Sequence, residues 1–98
     1  MKNFIIAVLT NMPEILIDTT NIETVNTSKL FDYYKIYFRY IDGTPLTPKT
    51  EILKEFLKKH DIDYTTAEKT DEFSEYYSIL FKFNDVQIKC TFSADFIW

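Results

Sequence analysis

The spacing of large and polar side chains follows two periods, and the first change comes at Thr47. From Phe31 to Ile41 the chain alternates: Tyr34, Ile36, Phe38 and Tyr40 fall on one side, Tyr33, Lys35, Tyr37 and Arg39 on the other. A strand buried on one face has this period of two. Asp42-Gly43 then turns the chain. Thr47-Pro48 reads as an N-cap followed by a first-turn proline, whose missing N–H costs nothing there. Beyond it Ile52, Leu53, Phe56 and Leu57 recur at helical spacing, with Lys49, Glu51, Lys54, Glu55, Lys58 and Lys59 around the remainder. The pattern predicts one amphipathic helix over 48–60. Lys58, Lys59 and His60 close it, where positive charge suits the carbonyl end of the helix dipole.

The period of two then returns. Tyr77, Ile79, Phe81 and Phe83 alternate with polar or smaller residues, as do Val86, Ile88, Cys90 and Phe92. Asn84-Asp85 between them suits a two-residue hairpin loop, because Asn and Asp tolerate positive φ. The register that follows pairs Phe83 with Val86, Phe81 with Ile88, Ile79 with Cys90 and Tyr77 with Phe92, all on one face.

The other segments are less regular. Phe4–Leu9 is a short apolar run that reads as a buried strand, and Glu14–Asp18 as a second, shorter one. Thr19–Ser28 is rich in hydroxyl and amide side chains, which compete for backbone hydrogen bonds, so it reads as a loop or an irregular edge. Ile62–Thr66 reads as a short strand, followed by an acidic stretch. The expected order is three strands, one helix and three strands. A single helix with strands that do not alternate with it implies a two-layer α+β domain spanning residues 1–98. The sheet is expected to be mostly antiparallel, with about five or six strands and the helix on one face.

Composition narrows the chemistry. The chain holds one Gly, which removes Gly-rich phosphate-binding loops from consideration. His60 is its only histidine, too little for a two-His metal site or an activated nucleophile with a separate base. Cys90 is its only cysteine and falls on the inward face of the hairpin, where a thiol is inert. Without intramolecular disulfides, and with no apolar stretch near the roughly 20 residues of a membrane span, the expectation is a cytoplasmic, non-membrane protein. The six-residue run Phe4–Leu9 is short for a signal peptide, and no small-residue cleavage site follows it. Of the 11 basic residues only Arg39 is an arginine, and with many Ile, Asn, Phe and Tyr this fits an AT-rich genome such as a low-GC bacterium or its phage. No catalytic residues, metal ligands or cofactor are assigned, and the chain is read as a non-enzyme.

Charge is more informative. Asp61, Asp63, Glu68, Asp71, Glu72 and Glu75 against Lys69 give residues 61–75 a net of −5, in a chain whose total is −4. These acids read either as a solvated loop that aids solubility or, with Tyr64 and Phe73 among them, as a docking surface: carboxylates steer a basic partner while the rings supply desolvated contact area. A protein that presents carboxylates where phosphates would sit can occupy a nuclease or other nucleic-acid-binding complex. The expected function is therefore an inhibitor or neutraliser, such as a phage anti-CRISPR-type or immunity protein acting in the host bacterium's cytoplasm. The alternative uses the stripe Tyr33, Lys35, Tyr37 and Arg39 as a platform for single-stranded nucleic acid, with stacking rings and phosphate-binding cations. The net negative charge favours the first reading. The apolar end Phe96-Ile97-Trp98 either packs back on the sheet or serves as an anchor, and a homodimer through sheet edge or tail is a further expectation.

Overall fold

A computed structural model of the chain describes residues 20–30, 33–83 and 85–97. The order is β1 (Ile22–Leu30), β2 (Tyr33–Tyr40), α1 (Thr47–Lys59), β3 (Tyr64–Thr70), β4 (Ser74–Phe83) and β5 (Val86–Asp95). The expected strands at Phe4–Leu9 and Glu14–Asp18 lie outside the described residues. The five strands form one sheet in the order β1-β2-β5-β4-β3. The pairs β1–β2, β5–β4 and β4–β3 are antiparallel and β2–β5 is parallel. This is a small α+β fold on a mixed sheet.

The interior lies between one sheet face and α1. Ile36, Phe38 and Tyr40 of β2, Ile88, Cys90, Phe92 and Ala94 of β5, and Ile79 and Phe81 of β4 meet Leu53, Phe56 and Leu57 of the helix. The β2 alternation thus buries the expected side, and Phe92 stacks between Phe38 at 5.4 Å and Tyr40 at 6.3 Å. The hairpin has the register read from its sequence, Phe83 opposite Val86 through Tyr77 opposite Phe92. Asp85 holds the left-handed conformation its turn requires.

The structure corrects several local readings. Leu46, not Thr47, is the helix N-cap; it has no side-chain cap bond, and Pro48 sits within the first turn. Ile52 is 37% exposed, whereas Lys49, expected on the solvated side, is buried. The Lys49 Nζ donates to the Thr20 carbonyl at 2.8 Å and lies over the Tyr40 ring, which satisfies a charge the helical pattern assigns to water. Residues 22–30 are a strand, not a loop. Pairing with β2 overrides their Thr and Asn content, and the irregularity between Ile22 and Thr24 makes it the irregular edge that was the other expectation. The acidic stretch is not one loop either, since β3 runs through its middle.

Candidate functional site

The fold divides the predicted acidic surface between the two ends of β3. Asp61 and Asp63 precede the strand, and Asp71, Glu72 and Glu75 follow it. At about 3.3 Å per residue, the eight steps from Asp63 to Asp71 across the strand separate the two groups by roughly 25 Å.

Asp61 belongs to the helix end. Its N–H bonds the Lys58 carbonyl and the Ile62 N–H reaches back to Leu57, while Asp61 takes a φ of 56°. These two bonds form a Schellman motif, with aspartate in the place glycine usually fills. Asp63 and Tyr64 line a shallow hollow beside Lys58, so this end carries both signs of charge. Tyr64 is half-buried against the core, not the exposed anchor expected of it.

Glu68 lies mid-strand and lines a groove of about 260 Å³ between α1 and the β3–β4 hairpin. Glu51, Lys54, Glu75 and Tyr77 share that groove, with the Lys54 ammonium 4.5 Å above the Tyr77 ring.

The far end of the sheet gathers the remaining acids with residues the sequence did not associate with them. Asp71 Oδ1 accepts hydrogen bonds from the N–H groups of Phe73 and Ser74, which forms the β3–β4 turn and holds the Asp71 carboxyl below its usual range. The Phe73 carbonyl accepts a bond from Phe96 N–H, and the Asp95 carbonyl one from Gly43 N–H. Two backbone bonds therefore tie the β3–β4 turn, the β2–α1 loop and the C-terminal segment into one surface. Gly43 has a φ of 81°, and Ile97 lies so close that a Cβ there would collide with its side chain. Phe96-Ile97 thus docks against the loop yet leaves apolar area in the open: Ile97 is 73% exposed, Ile41 50% and Phe73 63%.

The same end of the sheet carries Glu23, Asp42, Asp71, Glu72, Glu75 and Asp95. Arg39 donates to Asp95 at 2.6 Å and lies 3.9 Å from both Glu23 and Asp42. The missed members of this end (Glu23, Ile41, Asp42 and Asp95) come from three separate segments, β1, the β2–α1 loop and the end of β5, beside the apolar Phe96-Ile97 that the sequence offered as an anchor. Only the sheet order brings them together, although their acidic and apolar character was visible in the sequence.

The alternative stripe is also where its period placed it. Tyr33, Lys35, Tyr37 and Arg39 share the face of β2 away from the helix, but two of them are occupied within the sheet. The Tyr37 hydroxyl bonds Ser93 Oγ, and Arg39 serves the carboxylates just named. Lys35 instead lies in register with Lys89 of the parallel neighbour β5. A trough of about 370 Å³ beside them is lined by Tyr33, Ala67, Ser78, Leu80, Gln87 and Lys89 among others.

Cys90 is fully buried, and desolvation pushes its thiol up to about 12. His60 is exposed at the helix end with its ring 4.5 Å from Phe56. Among the described residues no group of three or more His, Cys, Asp or Glu is placed to hold a metal ion, and no helix is long and apolar enough to cross a membrane. No protein-family model, curated protein or solved structure matches the chain.

Proposed function

We propose that the chain is a non-enzymatic binding protein whose acidic sheet end occupies a basic surface of a partner protein, of the kind that otherwise binds nucleic acid. One observation carries this reading: Ile41, Phe73 and Ile97 are exposed at the sheet end that holds Asp71, Glu72 and Glu75 and, grouped about Arg39, Glu23, Asp42 and Asp95. Exposed apolar area ringed by polar groups is the anatomy of a protein-binding patch. The six carboxylates against Arg39 leave this end net negative, which selects a basic partner and speeds its approach. Blocking a nuclease or a defence complex by occupation, as an anti-defence or immunity protein would, is the activity such a surface suits.

The test is a tagged pull-down from nuclease-treated bacterial lysate at two salt concentrations. Wild type is expected to retain a basic nucleic-acid-handling protein at low salt and lose it at high salt. Glu72→Lys/Glu75→Lys, with Asp71 left intact because it builds the turn, is expected to lose it at both. Retention of the same protein by that folded variant would overturn the reading.

A second reading is favoured by the Lys35–Lys89 pair. Two lysines side by side on one sheet face, next to Tyr33 and a trough, are suited to phosphate and base contact in a single strand. The cations of this version are Lys35 and Lys89, with Arg39 excluded by its carboxylates.

A further inference from the structure

We propose that the protein forms a two-fold symmetric dimer in which β3 pairs antiparallel with β3 of a second copy. β3 is an edge strand of the described sheet, and Thr65 to Thr70 are exposed throughout. Its register against β4 runs unbroken from Tyr64 to Thr70, with no proline. The outer side of such a strand offers a row of backbone donors and acceptors, a template for another strand. The opposite edge is less suited, because β1 carries the irregularity between Ile22 and Thr24.

Charge selects the register. When the two-fold axis is perpendicular to the sheet, residues directly opposite share a face, so the residue on the axis fixes every pair. Glu68 on the axis sets two carboxylates together, and Lys69 sets two ammonium groups together. Ala67 on the axis puts Asp63 opposite Asp71. Thr65 on the axis drives the pairing into the left-handed turn at Asp61 that closes the helix. With Thr66 on the axis, Thr66 meets its own counterpart, Thr65 faces Ala67, Tyr64 faces Glu68, and Asp63 faces Lys69 on both sides.

Of these registers the Thr66-centred one pairs opposite charges, with Lys69 inside the strand and Asp63 one residue before it begins at Tyr64. Beyond Ile62 and Thr70 both chains turn away, Asp61 into the helix end and Asp71 into the β3–β4 turn. The antiparallel arrangement also sets the Asp61 end of one copy beside the Asp71–Glu72 end of the other, a like-charge approach that the two Asp63–Lys69 pairs must offset. The inference does not rest on the proposed function.

Thr66→Cys tests the register directly. Opposite residues in an antiparallel pair have Cα atoms about 4.5–5.5 Å apart, within disulfide range. Mild oxidation is expected to give a covalent dimer, with buried Cys90 not competing. Glu68→Cys, on the same face but roughly 13 Å along the strand from its counterpart, is expected to stay unlinked.

Sedimentation equilibrium on the full chain supplies the second arm. Lys69→Asp and Asp63→Lys are each expected to raise the dimer Kd about tenfold, and the double exchange to restore it. A wild-type chain that is monomeric at every concentration overturns the proposal. So does a dimer that both single exchanges leave unchanged and Thr66→Cys does not link.

Discussion

Residues of one type differ most at the smallest scale, and the acids show it. Along the sequence Asp61, Asp63, Glu68, Asp71, Glu72 and Glu75 look interchangeable, but the structure gives two of them structural work. Asp71 accepts two backbone N–H groups in its turn, and those bonds favour the charged carboxylate. Its folded pKa lies below the ordinary 3.8. Its contribution to stability is therefore present above that value and is lost as pH falls through the folded value. Asp71→Asn, an approximate mimic of the protonated acid, is expected to have a lower urea midpoint than wild type at pH 7 and to converge with it well below pH 3.8. A difference that stays constant across that range would show that the turn does not depend on the charge. Lys49 is the converse case. Its burial depends on a carbonyl 29 residues away, at Thr20, and no local pattern carries that information.

At the scale of elements, legibility followed locality. The hairpin was readable to the residue because its register is set by its own loop and by alternation on both arms. The helix was readable to within a residue at each end because its period and flanking residues are contiguous. β1 is left open between loop and irregular edge because hydroxyl and amide side chains suit loops when taken alone, and only β2 beside it makes them a strand. β3 was placed too short for a related reason: Glu68 and Lys69 look solvated, as they are, yet an edge strand has room for solvated charges.

The helix end yields a prediction of its own. Asp61 bears the left-handed cost that glycine avoids, and it sets a negative charge at the carbonyl end of the dipole. Asp61→Gly is expected to stabilise the protein by about 0.5–1 kcal/mol, and Asp61→Ala to destabilise it by a similar amount. Denaturant midpoints of the two variants check the sign. A gain in the alanine variant would mean that the Schellman turn does not hold Asp61 at positive φ.

For the whole molecule the deciding fact is strand order, which local sequence does not encode. Placing β5 between β2 and β4 brings Asp95 to Arg39 and Lys89 to Lys35. One end of the sheet thereby becomes acidic and apolar, while the middle of the outer face carries two neighbouring lysines. The stripe read from β2 alone included Arg39 and omitted Lys89, because the neighbouring strand was unknown. This separation makes the two functional readings independently testable on one protein. If the outer face binds a single strand, affinity for poly-dT is expected to fall with salt. Lys35→Gln/Lys89→Gln should then reduce the slope of log K against log salt by about 1.4, two single-strand phosphate contacts. Arg39→Lys should leave that slope unchanged, since its contacts are to carboxylates within the sheet. Glu72→Lys/Glu75→Lys, which abolishes partner capture in the first reading, should not weaken it. No binding of poly-dT by wild type at low salt would end the nucleic-acid reading, and the acidic end would still stand or fall by partner capture alone.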